Sequence, residues 1–496
     1  MTDRARLVPL VQSLANARVA VAGDVMLDIY VGGTVERISP EAPIPVLRVE
    51  RESAMPGGAG NVARNVAALG GSARLIGAIG ADDAGRKLDA LIASEPRLSR
   101  DLIADPARQT AIKTRYVGGT QQMLRADRET VGPLSADARR RLVAAVETAL
   151  TDCAVLVLSD YGKGVLQNGV AAELIATAKR AKRAVVVDPK GRDWSAYAGA
   201  DVVTPNRREL AEAAGALPEC APTGATLDDD DAVAAAARRL IARHRLGAVL
   251  ATLGPEGMLL VRADESREHI RAEAREVFDV SGAGDTVVAA LAALLAAGAS
   301  LADAVTVANV AAGIVVGKAG TATAEADEVA NALHRQDLMD AEAKVLTRAQ
   351  AEARVRTWRA GRLKIGFTNG CFDLLHPGHV SLLGQARAAC DRLIVGLNSD
   401  SSVKKLKGEG RPVQAEAARA AVLASLAAVD AVVVFSEDTP MALIEAFRPD
   451  VLVKGADYTR DKVVGADLVE TWGGKVLLAD LAPGHSTTAT IKKLAR

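Results

Sequence analysis

The chain has 496 residues, of which 49% are hydrophobic and 25% charged, as is typical of a globular protein with two or three domains. Lysine plus arginine and aspartate plus glutamate number 61 each, so the balanced charge gives no reason to expect a nucleic acid or a membrane as a partner. The four cysteines lack CxxC spacing, no apolar run could span a membrane, and the first residues lack the apolar stretch of a signal peptide. We therefore expect a cytoplasmic protein with reduced thiols and no structural metal.

In the first part of the chain, short apolar strands alternate with alanine-rich helical stretches. The candidate strands are Val19–Ala22, Ala73–Ile79, Val155–Leu158, Ala184–Asp188, Val202–Thr204 and Ala248–Leu253. Their nearly continuous apolarity predicts an α/β fold with a mostly parallel sheet that is covered by helices on both faces. The segment from Gly32 to Glu50 differs because three prolines interrupt its β-prone residues, which indicates edge strands outside the main sheet that form a small β lid.

A second αβ alternation follows a polar, glycine-free stretch. Its predicted strands are Leu363–Thr368, Arg392–Leu397, Ala431–Phe435, Val451–Lys454 and Lys475–Leu478, and helices are expected from Gly378, over Glu416–Ala427 and over Pro440–Ala446. This pattern predicts a smaller Rossmann-like α/β domain. We place the first domain at residues 1–330, a linker at 331–350 and the second domain at 351–496.

A glycine-rich turn precedes an apolar helix near residue 282. Gly282, Ala283 and Gly284 are followed by Asp285. Glycines let a backbone approach a phosphate, and the first N–H groups of a helix attract negative charge. Asp285 is then placed to take the proton of an attacking hydroxyl. The alternative is an ordinary turn between two elements with a solvated aspartate.

A second glycine segment, Gly57-Gly58-Ala59-Gly60-Asn61, also opens a helix and suits close contact with a polyol. Part of it fits the dinucleotide-binding pattern G-x-G-x-x-A, but Met55-Pro56 precedes it where that pattern needs the end of a strand. The two glycine segments together resemble the signatures of the ribokinase-like (PfkB) carbohydrate kinases, over about residues 15 to 325. The resemblance implies that Asp285 is the catalytic base and that Gly282 to Gly284 form an anion hole. It also implies a sugar site formed by Asp28, Gly57, Gly58 and Asn61.

The same resemblance implies a nucleotide site. Asn206, Arg207, Arg208 and Glu209 resemble the NxxE element that organises the magnesium–nucleotide complex, with Glu209 acting on the metal indirectly. Thr252, Gly254 and Gly257 resemble the loop beside the nucleotide. From the residues alone, Asn206 could simply be a helix cap, which is the commoner role of an Asn after a strand. Lys163 has two interpretations, a contact with a phosphate or a solvated loop lysine.

The implied cofactor is ATP with Mg²⁺, without a tightly bound organic cofactor. Lid strands in ribokinase-like enzymes often pair between subunits, and the lid segment carries apolar Ile44, Val46 and Leu47. These residues are a liability on an edge strand unless they are covered. We therefore expect a homodimer through the kinase domain.

The motif His376-Pro377-Gly378-His379 follows Phe372-Asp373 at a predicted strand-to-helix turn. Two imidazoles beside a glycine can stabilise charge on a phosphorus atom. A metal site is the alternative, but the intervening Pro and Gly and the lack of a third nearby ligand argue against it. The attacking group of a sugar phosphate is already anionic, so no general base is needed.

Further segments of the second domain are similar to those of the cytidylyltransferase-like nucleotidyltransferases, over about residues 360 to 496. These segments are Asn369–His379, Asn398–Asp400, Lys407-Gly408, Arg411-Pro412 and Gly484–Thr488. Within the last of them, Ser486, Thr487 and Thr488 offer hydroxyl and N–H groups to phosphates, or alternatively form an ordinary helix cap. Ala482-Pro483 and His485 depart from the glycerol-phosphate cytidylyltransferases, which weakens the case for CTP.

The two domains in this order resemble a family of bifunctional enzymes of lipopolysaccharide precursor synthesis. Its members join a D-glycero-β-D-manno-heptose-7-phosphate kinase to a D-glycero-β-D-manno-heptose-1-phosphate adenylyltransferase. Arg37–Pro43 and Val453–Tyr458 add to this resemblance. It implies phosphorylation at O1 and then, after a separate phosphatase has acted, formation of ADP-heptose. Two alternatives remain: a bifunctional enzyme for another sugar or polyol phosphate, possibly with CTP, and a non-catalytic scaffold.

Overall fold

The computed structural model describes residues 7–119, 121–216, 227, 229–272, 278–318, 320–456 and 458–480. It divides after Leu333 into a first unit and a second unit, which are described separately. No helix among these residues is long and apolar enough to cross a membrane.

The first unit contains two sheets. Its described strands are β1 (Arg18–Gly23), β2 (Val25–Ile38), β3 (Pro45–Gly58), β4 (Ser72–Ile79), β5 (Leu98–Ala104), β6 (Ala111–Gly118), β7 (Gln121–Arg128), β8 (Val155–Ser159), β9 (Ala184–Asp188), β10 (Val202–Val203), β11 (Ala248–Thr252), β12 (Met258–Arg262) and β13 (Arg267–Ile270). The larger sheet has the order β13-β12-β11-β10-β9-β8-β1-β4-β5. Its strands from β11 to β5 pair in parallel, whereas β12 and β13 are antiparallel additions at one edge. All six strands predicted for this region are present.

Helices cover both faces of this sheet, as the apolar strands predicted. They are α1 (Val8–Gln12), α2 (Ala59–Ala68), α3 (Asp83–Ala93), α4 (Ala136–Ala149), α5 (Val170–Arg180), α6 (Arg207–Gly215), α7 (Asp230–His244), α8 (Ala283–Ala296), α9 (Leu301–Val315) and α10 (Ala326–Glu342). Helix α8 is buried on nearly every side from Asp285 to Leu294, which explains why its sequence is almost uniformly apolar. It packs between α9, α2 and the sheet, and so its N-terminus has a fixed position.

The smaller sheet is the lid, with the order β3-β2-β6-β7. Strands β2 and β3 pair in an antiparallel manner and contain the edge strands predicted for the segment from Gly32 to Glu50, but they are longer than expected. The sequence did not predict β6 and β7, which are rich in charged and polar residues. The hydroxyl groups of Tyr30 on β2 and Thr321, after α9, lie 3.1 Å apart, so the lid contacts the rest of the unit.

The second unit contains a six-stranded, wholly parallel sheet with the order β14-β17-β16-β15-β18-β19. Its elements are β14 (Val345–Leu346), α11 (Arg348–Ala360), β15 (Ile365–Gly370), α12 (Pro377–Ala388), β16 (Arg392–Asn398), α13 (Asp400–Lys407), α14 (Glu416–Ser425), β17 (Ala431–Phe435), α15 (Met441–Phe447), β18 (Val451–Gly455), α16 (Ala466–Thr471) and β19 (Lys475–Ala479). The five predicted strands and three predicted helices are present within a few residues. The parallel order and the helical crossovers are those of a Rossmann-like domain.

The predicted linker, 331–350, contains regular structure. Helix α10 continues to Glu342, and Leu333 on it is fully buried in the core of the first unit. Val345 and Leu346 form β14, which pairs with β17 of the second sheet. The sequence of this polar stretch also predicts a helix, and helices α10 and α11 occupy most of it.

Candidate active sites

The predicted anion hole lies at the start of α8. Gly282 precedes the helix with φ of +81°, a left-handed conformation that favours glycine, and a Cβ atom there would come within 3.0 Å of the Asn61 amide nitrogen. A Cβ atom on Gly284 would meet no atom within 4 Å, so open space lies in front of the first turn. Because the first N–H groups of a helix have no partners within the helix, the start of α8 suits an anion.

Asp285 lies in this first turn and is 6% exposed. The side-chain nitrogen of Asn61 donates a hydrogen bond to Asp285 Oδ2 at 2.7 Å, and the hydroxyl of Tyr161 donates one to Oδ1. Burial raises the pKa of Asp285 to about 6, the hydrogen bonds from Asn61 and Tyr161 lower it, and the charge of Asp28 raises it. A carboxylate with this pKa is mostly ionised at neutral pH and is suited to accept a proton.

Helices α2 and α8 are joined by buried polar side chains. Asn65 donates to the Asn61 carbonyl at 2.9 Å, and the Thr286 hydroxyl donates to Asn65 Oδ1 at 2.8 Å. These side chains are fully buried. The sequence pointed to Asn61 but not to Asn65, which lies one turn later on the same helix face and orients it.

The predicted sugar residues lie next to this point. Asp28 on β2 is 4% exposed, and Gly57 on β3 packs so closely against it that a Cβ atom would lie 2.5 Å from Asp28 Oδ2. Gly58 has φ of +60°, and a Cβ atom there would lie 2.4 Å from the Asp24 carbonyl. Both glycines are therefore required by close packing, and the structure brings them together with Asp28, Asn61 and Asp285.

Asp24 and Tyr161 are site residues that the sequence did not reveal. The Asp24 carboxylate accepts hydrogen bonds from the backbone N–H groups of Tyr161 and Lys163, both at 2.9 Å, and of Val165 at 3.1 Å. This loop conformation places the Tyr161 hydroxyl on Asp285. Lys163 Nζ forms an ion pair with Glu129 at 2.7 Å, so in this structure its charge already has a partner.

A cavity of about 190 Å³ adjoins Asp285 and reaches Asn206 and Glu209, two of the predicted nucleotide residues. It is lined by Asp160, Tyr161, Asp188, Pro189, Lys190, Asn206, Glu209, Gly282, Gly284 and Asp285. Asn206 and Glu209 form a capping box at the start of α6, with bonds of 2.9 and 3.1 Å, and Glu209 also accepts from Lys190 Nζ at 2.8 Å. The cap interpretation and the family role of Asn206 are therefore compatible.

The other predicted nucleotide residues lie around this cavity without lining it. Thr252 pairs with Asn206 in an isolated parallel bridge, while Gly254 and Gly257 have φ of +63° and +102° in the loop that follows. Arg207 contacts Glu256, and the exposed Arg208 pairs with Glu212 at 2.7 Å. In this structure both arginines therefore form ion pairs outside the cavity.

Carboxylates that face this cavity suit a magnesium–nucleotide complex. Burial raises the pKa of Asp188 well above its ordinary value, and the charges of Asp285 and Glu209 add to this shift. Carboxylate oxygens that repel one another are stabilised by a hard cation such as Mg²⁺. Among the residues described, no group of three or more His, Cys, Asp or Glu side chains is arranged to hold a metal ion.

In the second unit, His376 and His379 stand at the start of α12. Their rings are stacked with centroids 3.8 Å apart, and the backbone N–H of His379 donates to the His376 carbonyl at 2.9 Å. Burial, with smaller contributions from the charges of His376 and Lys407, lowers the pKa of His379 to about 4. His379 is therefore neutral at pH 7 without ligand, and it would serve a phosphate as a hydrogen-bond donor rather than as a resident charge.

A fully buried arginine, Arg419, connects the segments that the sequence singled out in this unit. It donates to the carbonyls of Cys371 and Asn398 at 2.6 and 2.8 Å and to Asp400 Oδ1 at 2.7 Å. Nearby, burial favours a higher pKa for Asp373, but the hydrogen bonds from Arg411 and from two backbone N–H groups hold its pKa below the ordinary value. Ser486, Thr487 and Thr488 lie outside the described residues.

The chain matches two family models and many curated proteins. Residues 16–328 match the pfkB family of carbohydrate kinases, and residues 367–492 match the cytidylyltransferase-like family. "Bifunctional protein HldE" of Paramagnetospirillum magneticum is 57% identical over 494 residues, covering 100% of this chain and 99% of that protein. The chain belongs to the HldE family. The HldE protein of Rhodospirillum rubrum is also 57% identical, over 98% of this chain and 97% of its own.

Solved structures match the kinase part of this HldE-family chain. Phosphofructokinase-2 from Escherichia coli, in complex with potassium, is 25% identical with a TM-score of 0.53, over 64% of this chain and 98% of that one. A ribokinase from Giardia lamblia is 19% identical with a TM-score of 0.51 and supports the fold alone. The predicted ribokinase-like fold, the second nucleotidyltransferase domain and the bifunctional family are thereby confirmed. The chain is a carbohydrate kinase joined to a nucleotidyltransferase.

Proposed function

We propose that this chain phosphorylates D-glycero-β-D-manno-heptose 7-phosphate at O1 with ATP and adenylylates D-glycero-β-D-manno-heptose 1-phosphate to ADP-heptose. The observation that carries the first reaction is the position of Asp285, which lies in the first turn of α8 between the sugar residues and the nucleotide cavity. Membership in the HldE family supports both reactions and their order along the chain.

In the kinase reaction, Asp28 and Asn61 hold sugar hydroxyls and Asp285 accepts the proton of O1. O1 forms a bond to the γ-phosphorus of ATP while the bond to the β–γ bridging oxygen breaks, and ADP leaves. The N–H groups at the start of α8 stabilise the charge on the transferred phosphoryl group. Asp188 and Glu209 would hold Mg²⁺, directly or through water, and the ion would neutralise part of the phosphate charge.

In the transferase reaction, a phosphate oxygen of the sugar 1-phosphate attacks the α-phosphorus of ATP and pyrophosphate leaves. His376 and His379 donate hydrogen bonds to the phosphate oxygens as their charge grows, and the start of α12 adds further N–H groups. No side chain has to remove a proton, because the attacking phosphate is already ionised. The second unit thus acts by electrostatic positioning, whereas the kinase unit adds a general base to it.

Mass spectrometry of the products tests both assignments. With ATP, Mg²⁺ and heptose 7-phosphate we expect the 1,7-bisphosphate, and with heptose 1-phosphate we expect ADP-heptose. Asp285→Asn should retain the second product while the first falls by a factor of about 100 or more. Replacing ATP by CTP in the second reaction tests the alternative nucleotide: an adenylyltransferase should then form little nucleotide-sugar, whereas an enzyme that uses CTP should form the CDP-sugar. A lack of the bisphosphate from the wild-type protein would contradict the kinase proposal.

A homodimer and a cytoplasmic location belong to the same proposal. The lid exposes apolar side chains, with Ile38 62% exposed, Ile44 57% and Leu124 59%. A second lid would cover them. We expect a dimer in sedimentation at micromolar concentration, and Ile44→Glu together with Leu124→Glu should shift it to monomer. A wild-type chain that sediments as a monomer would contradict this proposal.

A further inference from the structure

A cavity of about 370 Å³ lies in the first unit between the loop that joins β9 to β10 and the C-terminal ends of α6 and α7. Its polar lining residues are Arg192, Asp193, Trp194, Ser195, Arg243 and His244, and alanine side chains complete the wall. It shares no lining residue with the cavity beside Asp285, so it is not part of the kinase site described above. Neither of the two proposed reactions uses these residues.

Trp194 places an unsatisfied donor in the wall of this cavity. The residue is fully buried, and its indole nitrogen, Nε1, has no hydrogen-bond partner among the residues that the structure describes. By contrast, Trp472 Nε1 donates to the Pro449 carbonyl at 3.1 Å. A buried N–H without an acceptor is costly, and it calls for a water, an ion or a ligand that would accept it. Trp194 therefore indicates that the cavity holds an acceptor.

Two arginines at this cavity have no counter-charge. Arg192 and Arg243 are exposed, and neither forms an ion pair within the described part of the chain. Asp193 is the one carboxylate among the described lining residues, and its Oδ1 already accepts a backbone N–H at 2.9 Å. Glu212 on α6 is within electrostatic reach of Arg192, but its carboxylate is paired with Arg208 at 2.7 Å. Two arginines and one aspartate thus leave the lining with a net positive charge.

The negative end of the α7 dipole explains only part of this arrangement. Arg243 and His244 lie in the last turn of α7, where positive charge is favoured. The His244 carbonyl already accepts the Gly199 N–H at 3.0 Å, so it does not supply the acceptor that Trp194 lacks. Burial lowers the pKa of His244, so its imidazole is neutral at pH 7 and offers one more N–H donor.

We propose that this cavity is a binding site for a phosphate group, carried by a small phosphate ester or present as the free ion. Phosphate oxygens accept the paired donors of a guanidinium, which Arg192 and Arg243 supply, and they provide the acceptor that the indole N–H of Trp194 lacks. The cavity has many times the volume of one water molecule, which is about 30 Å³ in the liquid, so a phosphate ester with a small organic part fits as well as the free ion.

NMR spectroscopy of the full chain, labelled with ¹⁵N at its tryptophan indoles, tests this inference. The chain has three tryptophans, and Trp358 and Trp472 lie in the second unit. Trp358→Phe and Trp472→Phe identify two of the three indole signals, which leaves the Trp194 signal identified without a change in the cavity. Inorganic phosphate and, in a separate titration, glycerol 3-phosphate are added at an ionic strength held constant with potassium chloride. We expect the Trp194 indole proton to move downfield saturably as it forms a hydrogen bond.

Arg192→Ala and Arg243→Ala should each raise the Kd from this titration by about tenfold, because each removes a charge-assisted hydrogen bond to phosphate. Both variants should keep wild-type rates in the kinase and transferase assays. Arg180→Ala is the matched control, since Arg180 is an exposed arginine on α5 that pairs with Glu147 at 3.8 Å and does not line the cavity. Its Kd should equal that of the wild type.

The two titrations also distinguish the sources of the phosphate group. A lower Kd for glycerol 3-phosphate identifies a phosphate ester as the ligand, and a lower Kd for inorganic phosphate identifies the free ion. The inference is overturned if neither compound moves the Trp194 signal saturably, or if both arginine variants retain the wild-type Kd. Because the measurement involves neither reaction, either result leaves the proposed kinase and transferase functions unaffected.

Discussion

Asp285 is subject to opposing influences on its proton affinity. Burial and the charge of Asp28 favour the protonated acid, whereas Asn61, Tyr161 and the charge of Lys113 favour the carboxylate. The balance sets the pKa at about 6 in the empty site, so the general base is lost as pH falls through this value. The kinase should therefore lose activity about tenfold per pH unit below about pH 6.

The first prediction concerns Tyr161, whose hydroxyl bond stabilises the ionised form of Asp285. Tyr161→Phe removes that bond, so the pKa of Asp285 should rise and the acid limb of kcat/KM should move to higher pH. The measurement is a kinase pH profile between pH 5 and 8. Tyr197→Phe is the control, since the Tyr197 hydroxyl contacts Asp160 instead. An acid limb that stays in place in Tyr161→Phe would show that the bond does not affect the base.

The second prediction concerns His379. His379→Ala removes a neutral donor from the site of the α-phosphate and should reduce adenylyl transfer about 100- to 1,000-fold. Val380→Ala is the matched control, because Val380 is the next residue on α12 and is 51% exposed. Kinase turnover should be unchanged in both variants. Normal adenylyl transfer by His379→Ala would remove the histidine pair from the mechanism.

At the scale of elements, the helix pair α2 and α8 holds the kinase base in position. The third prediction is that Asn65→Ala, which removes the buried hydrogen bonds between Asn65 and the Asn61 carbonyl and between Thr286 and Asn65, destabilises the kinase unit by about 1–3 kcal/mol. Because Asn65 also orients Asn61, kcat should fall about tenfold. Denaturant unfolding and kinase assays measure the two effects.

Asn309→Ala provides the matched control for this prediction. Asn309 on α9 is also buried, and it donates to the Arg271 carbonyl at 2.8 Å. We expect a comparable loss of stability but an unchanged kcat, since Asn309 does not contact Asn61 or Asp285. If both variants lowered kcat alike, the effect would be a general consequence of destabilisation.

The elements that the sequence predicted are those with a strong local signal. Apolar runs such as Val155–Ser159 and Ala431–Phe435 are buried on both faces, so local composition alone identifies them. Strand β7, from Gln121 to Arg128, is exposed throughout and carries polar and charged residues, so nothing local distinguishes it from a loop. Its existence depends on the pairing with β6, which is a tertiary property.

The residues of the two candidate active sites also divide into those with a local sequence signal and those that depend on tertiary contacts. Gly57, Gly58, Asn61, Asp285 and the histidine pair belong to short motifs that the family resemblance singled out, but the contacts between distant residues have no local signal. Tyr161 and Asn61 reach Asp285 from 124 and 224 residues away, and Arg419 reaches Cys371 from 48 residues away. Arg419 lies on the apolar face of α14, and such a position can be recognised in a sequence. A buried charge needs partners, so it marks a residue that connects several segments.

At the scale of the whole molecule, the division after Leu333 suggests that each unit is a separate folding and catalytic body. The fourth prediction is that residues 1–342 alone phosphorylate the sugar and residues 343–496 alone transfer the adenylyl group. Both fragments are of ordinary domain size. The measurement is the separate assay of each fragment for each reaction, with the intact chain for comparison.

A shorter fragment, 1–330, gives the internal control. It lacks Leu333, whose burial stabilises the core by roughly 2–3 kcal/mol, and it truncates α10. We expect it to unfold at a lower temperature than 1–342. If neither longer fragment shows its activity while the intact chain does, the two sites depend on each other.

The wide spacing of the kinase contacts has a consequence for synthesis on the ribosome. Asn61 meets Asp285, Tyr30 meets Thr321, and the core is complete only with Leu333, so this site cannot form until nearly the whole first unit has been translated. Translation of His334–Arg496 then takes on the order of 10–30 s at the usual rates of elongation. The nascent chain should therefore gain the ability to bind its first sugar substrate while the second enzyme is still being made.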